Sequence, residues 1–129
     1  MPTHFSRKPT PSELEILQVL WERGPSTVRE VHEALGDKRP IGYTSVLKLM
    51  QIMTAKGSVK RNEEQRAHVN EAVQPEEKTK RDLALDMLQR VFDGSATELM
   101  MHALAGRKAS KEEIDEMRRL LNEHERKVR

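Results

Sequence analysis

The sequence predicts a mainly α-helical chain with one small β-hairpin, in two parts, and three observations carry that prediction. Apolar residues recur at intervals of three and four along most of the 129 positions, the spacing of one helix face. That rhythm gives way to short, strand-like segments only between residues 58 and 70. One Trp, one Tyr and two Phe leave the core to Leu, Val, Ile and seven Met, a composition better suited to packed helices than to a β-sandwich.

Residues 1–11 hold three prolines and no apolar period, which predicts a flexible N-terminal arm. Ser12 and Glu15 have the spacing of a capping box, in which each side chain satisfies the other's backbone N–H, so a first helix is expected from there. Leu14, Leu17, Leu20 and Trp21 form its apolar face with Ile16 at the flank, and Gly24-Pro25 stops it. Thr27 and Glu30 repeat the spacing and open a short second helix with Val28, Val31 and Leu35 inward, stopped by Gly36. Pro40 and Gly42 keep residues 36–42 out of helix.

A third helix follows from about Tyr43 to Lys56, closed by Gly57. It should bury Val46, Leu47, Met50 and Met53 and leave Thr44, Lys48, Gln51 and Ala55 on the opposite face. Residues 58–61 and 66–70 read as two short strands around a turn at 62–65. Pro75 marks a boundary, giving a first domain over 12–74 and a second over 75–129. In the second, Leu83, Met87, Leu88 and Val91 form a helical stripe, Asp93-Gly94-Ser95 breaks it, and 96–104 resumes with Leu99 and Met100. Ser110 with Glu113 then caps a last helix bearing Ile114, Met117, Leu120 and Leu121. These three stripes exceed what short charged helices bury alone and predict a dimer interface.

Composition excludes whole classes of function. Mean hydropathy is −0.77, and no run approaches the ~20 apolar residues of a membrane span. With no charged-then-apolar leader at the start either, the expectation is a cytoplasmic protein. The absence of cysteine excludes disulfides and thiolate metal sites. His4, His32, His68, His102 and His124 are scattered, which argues against a metal centre. There is no glycine-rich phosphate loop, no His-Glu-x-x-His helix and no Gly-x-Ser-x-Gly elbow, so neither an enzyme nor a bound cofactor is expected.

Charge is unevenly placed. Residues 36–66 carry seven basic side chains (Lys38, Arg39, Lys48, Lys56, Lys60, Arg61, Arg66) against three acidic ones, whereas residues 74–129 carry twelve of each. Three helices, then a hairpin, with the basic surplus on the third helix and hairpin, is the layout of a winged helix-turn-helix reader of duplex DNA. Thr44, Ser45, Lys48 and Gln51 are the candidate base readers, because a helix in the major groove brings polar side chains to distinguishable base edges. Lys60, Arg61 and Arg66 on the wing, with Thr27 and Tyr43 at helix starts, are the candidate phosphate contacts. The near-absence of aromatic platforms favours duplex DNA over single strands or RNA. The alternative is a winged-helix module that binds protein instead of reading DNA, and Ile52 beside the polar face is the residue that points to it.

Residues 12–73 resemble the BlaI/MecI family of penicillinase repressors, which also includes copper-responsive repressors. The matching segments are Leu14-Glu15-Ile16-Leu17 with Leu20-Trp21, Thr27-Val28-Arg29-Glu30-Val31, Gly42-Tyr43-Thr44-Ser45-Val46-Leu47, and Lys56-Gly57, with Arg66 at the place of the family's wing arginine. Phe92-Asp93-Gly94-Ser95, Leu99-Met100 and the stretch from Ser110 to Leu121 are similar to the family's dimerisation helices. The resemblance implies a homodimeric repressor on a palindromic operator, controlled by a regulatory protease or a small-molecule inducer that the sequence does not name. The chain also departs from the pattern. His102-Ala103 stands where protease-controlled members have Asn-Phe, Ile41 replaces a tryptophan before the reading helix, Gln65 replaces a glycine before the wing arginine, and the copper-binding Cys-x-Cys pairs are missing.

Overall fold

A computed structural model describes residues 8–64 and 66–128; residues 1–7, which make up most of the expected arm, and Gln65 and Arg129 lie outside them. Among the described residues are six helices, α1 (Pro11–Arg23), α2 (Val28–Gly36), α3 (Tyr43–Lys56), α4 (Glu76–Phe92), α5 (Ala96–Ala105) and α6 (Lys111–Lys127). Between α3 and α4 lies a two-stranded antiparallel sheet, β1 (Val59–Asn62) and β2 (Val69–Ala72). The chain divides into two compact units, one ending at Leu83 and the other beginning at Ala84.

The first unit is a three-helix core closed by the hairpin. Ile16, Leu17, Val19 and Leu20 of α1 pack with Val31 and Leu35 of α2, Val46, Met50 and Met53 of α3, and Val59 of β1. Leu49, not the expected Leu47, joins this cluster from α3, because Leu47 turns toward a surface groove described below. Ile16, expected at the flank of α1, is fully buried.

The start of α1 corrects the sequence reading. Thr10, not Ser12, is the N-cap: its hydroxyl accepts the Glu13 N–H at 3.2 Å and the Glu13 carboxylate accepts the Thr10 N–H at 3.2 Å. Two capping-box patterns overlap two residues apart, and Pro11 selects the earlier one, since its fixed φ and missing N–H suit the first helical position. Glu15 is thereby free to take Arg39 in a two-pronged pair at 2.7 Å, tying the loop before α3 to α1. The Thr27–Glu30 capping box forms as expected, with bonds of 2.9 and 3.1 Å. Gly57 ends α3 in the left-handed conformation (φ +87°) that glycine adopts without steric cost.

The hairpin is displaced from its expected register. Val59 pairs with Ala72, Lys60 with Glu71, Arg61 with Asn70 and Asn62 with Val69, so the returning strand begins at Val69 and Arg66 lies in the connecting loop. A third segment fixes that register: Ser26 and Asn70 exchange backbone hydrogen bonds of 2.9 and 2.8 Å. Beyond β2, the Trp21 indole N–H donates to the Gln74 carbonyl at 3.0 Å, and Thr79 in the second turn of α4 is buried. The compact unit therefore runs past residue 74, the boundary expected from Pro75.

The second unit contains the end of α4 with α5 and α6. Asp93 (φ +51°) and Gly94 (φ +86°) reverse the chain between α4 and α5, and Ser95 and Ser110 cap α5 and α6 through the Glu98 and Glu113 N–H groups. Phe92 stacks at a tilt on His102, with ring centroids 5.7 Å apart. Arg119 pairs with Glu116 and Glu123 along the surface of α6, and its hydrogen bond and charge hold the Glu116 carboxyl below its ordinary pKa. No described residue from 84 to 128 is buried.

Candidate nucleic-acid interface

The interface is built outward from α3. Its inner face is locked by Val46, Met50 and Met53, which turns Thr44, Ser45, Lys48 and Gln51 out to solvent, where all four are exposed. Helical spacing aligns Thr44, Lys48 and Gln51 as a polar row that can enter a groove. Lys48 has no carboxylate partner among the described residues, so its charge is available to a ligand. Ile52, one residue beyond Gln51, is 39% exposed.

The loop before α3 sets where the helix begins. His32 of α2 donates from Nε2 to the Ile41 carbonyl at 2.8 Å, and its ring meets Tyr43 edge-on at 5.7 Å. Gly42 caps α3 without a side-chain hydrogen bond, leaving the first turn's N–H groups open beside the exposed Tyr43.

The Ser26–Asn70 bridge draws the N-terminus of α2 against the wing, and a concavity of about 450 Å³ opens between α2, α3 and the hairpin. Val28, Leu47 and Met50 supply its apolar lining, and Thr27, Tyr43, Gln51, Thr54 and Asn70 its polar groups. Arg29, Arg61, Arg66 and His68 are the basic side chains on it, and among the described residues no carboxylate lines it.

The structure thus brings Thr27, Tyr43, Gln51, Arg61 and Arg66 to one concavity, while Thr44, Ser45, Lys48 and Lys60 lie outside it. The wing cations differ in what they hold. Lys60 pairs across the strands with Glu71 at 3.3 Å, and Arg61 grips Glu63 at 2.6 and 3.0 Å. Arg66 has no carboxylate partner among the described residues. Arg29 and His68 were not singled out from the sequence. Arg29's place two residues after the Thr27 cap was the available signal, whereas His68 is brought in only by the observed register of β2.

Among the described residues no cluster of His, Asp or Glu is arranged to hold a metal, and no helix is long and apolar enough to cross a membrane. An exposed polar third helix, a wing, and between them a basic concavity with no carboxylate among the described lining residues define the class of winged-helix DNA-binding regulators. Sequence comparison narrows the class. A family described as "Penicillinase repressor" matches residues 9–123, and the chain belongs to that family. It is 33% identical over 115 residues to the transcriptional regulator BlaI of Mycobacterium tuberculosis, in strain CDC 1551 / Oshkosh and equally in strain H37Rv, covering 88% of this chain and 82% of each relative. The protein is a DNA-binding transcriptional repressor and not an enzyme, which sets aside the protein-interaction alternative.

Proposed function

We propose that the protein is a cytoplasmic, homodimeric repressor that occupies a palindromic operator and blocks transcription by occupancy. Each α3 lies in a major groove, where Thr44, Ser45, Lys48 and Gln51 read bases. Thr27, Tyr43, Lys60, Arg61 and Arg66 hold phosphates and set the register. The observation that carries this reading is the adjacency of the exposed polar row of α3 to a concavity lined by three arginines and, among the described residues, no carboxylate. A phosphodiester strand is the polyanion such a surface fits.

Pairing is assigned to residues 75–129. Val91 is 65% exposed, Leu120 52% and Leu121 55%, and Met100, Met117, Leu120 and Leu121 line a further, largely apolar concavity of about 410 Å³. Soluble monomers rarely leave so much apolar surface open, and a second copy would cover it by two-fold symmetry. The inducing signal is a separate matter: His102-Ala103, at the family's cleavage position, lies within α5.

A mobility-shift titration against genomic fragments, repeated at several salt concentrations, tests the proposal. A discrete fragment should be retained at salt that releases the rest. Equal retention of every fragment at every salt concentration would refute sequence-specific repression.

A further inference from the structure

We propose that His68 is a proton-controlled phosphate contact, so that this repressor binds DNA more tightly as the pH falls through the histidine range. The inference rests on the DNA-binding reading above and adds to it a residue and a dependence on pH that this reading does not contain.

His68 sits just before β2, exposed, on the concavity that also takes Arg29 from α2, Arg61 from β1 and Arg66 from the wing loop. The titratable groups on that concavity are these three guanidiniums, His68 and the Tyr43 phenol; Glu63 is outside the lining but holds Arg61. The imidazole shares that lining with three guanidiniums and, among the described residues, with no carboxylate; the Glu30 carboxylate lies beside the lining, where it accepts the Thr27 N–H at 2.9 Å.

A phosphate seated on this surface favours the imidazolium, which can donate a charge-assisted hydrogen bond. Binding and proton uptake are then linked: DNA draws a proton onto His68, and acid strengthens DNA binding. The placement behind the link is the Ser26–Asn70 bridge, which fixes β2 against the start of α2, so that His68 and Arg29 line the same concavity.

Phosphate contacts are indifferent to sequence, so a labelled duplex of random sequence is a sufficient probe. Fluorescence anisotropy with the full chain is measured from about pH 8 to about pH 5.5, which brackets the ordinary imidazole range, at several salt concentrations. Wild type should gain roughly fivefold to tenfold in affinity per wing at ~0.1 M salt, with a salt slope steeper by about 0.9 per wing at the acid end. His68→Gln should bind like wild type at the alkaline end and lose both changes. Arg29→Ala should weaken binding at every pH. A wild-type affinity that is flat across this range, or a His68→Gln variant that keeps the wild-type profile, overturns the assignment. Absence of duplex binding at any pH would instead overturn the DNA-binding reading, and this inference with it.

Discussion

Lys56, the last residue of α3, places its ammonium 2.9 Å from the carboxylate of Glu13, which is only 3% exposed near the start of α1. Glu13 therefore does two things at once: it caps α1 through the Thr10 N–H and anchors the end of α3. Removing one member leaves the other's charge or hydrogen bonds unsatisfied in a poorly solvated place. Glu13→Gln should cost about 1–3 kcal/mol, and Lys56→Met, which strands the carboxylate, at least as much. The double variant should lose less than the two single losses added together, because the pair acts as one unit. Urea denaturation of the four proteins checks this, and strict additivity would show that the contact contributes nothing.

Base readout makes a different demand. Lys48→Ala and Gln51→Ala remove side chains that are exposed and outside the core, so the fold should be unaffected. Each should cost roughly 1–3 kcal/mol on the operator and relax preference at one or two base pairs. Selection from a randomised duplex pool, compared with wild type, reads this directly. Unchanged preference in both variants would move base reading away from this row.

The boundaries of α3 and the capping box of α2 were legible because local chemistry alone determines them: Gly42 and Gly57 bracket the one, and Thr27 and Glu30 close the other. What the sequence hid depended on distant partners. Both Thr10 and Ser12 offered a cap, and only the choice of the earlier one releases Glu15 for Arg39 and commits Glu13 to Lys56. The register of β2 depends on Ser26, forty-four residues from Asn70 in the chain, and a weakly alternating strand cannot announce such a partner. His68 and Arg29 come to line one concavity only through that register. The exposed polar row of α3 needed no such partner, since helix periodicity alone separates it from Val46, Met50 and Met53.

The wing cations should not contribute equally. Replacing Lys60, Arg61 or Arg66 by Ala should weaken binding to all duplexes alike and lower the salt slope by about one per lost contact. Arg66→Ala should cost the most, because Lys60 and Arg61 must first give up Glu71 and Glu63. By the same logic Glu63→Gln frees Arg61 and should tighten binding to any duplex. Anisotropy titrations over a salt series test both statements. A Glu63→Gln variant that binds more weakly would mean the carboxylate orients Arg61 rather than competing for it.

Dimerisation can be tested on the exposed apolar face itself. Leu120 and Leu121 are more than half exposed within the chain, so replacing both with Glu should leave the monomer's fold intact. In a two-fold pair the same change sets like charges against each other in a surface that has lost its water. The full chain should sediment as a dimer at tens of micromolar, and Leu120→Glu/Leu121→Glu as a monomer with the same helical circular dichroism. Separating the copies also removes the effective-concentration gain of two linked reading helices spaced about one DNA turn, ~34 Å, or a multiple apart. The variant should bind a palindrome no more tightly than a half-site. A chain truncated after Leu83, the end of the first compact unit, should behave the same way. If the wild-type chain stays monomeric at that concentration and still binds its palindrome tightly, the helices beyond residue 75 do not pair the repressor.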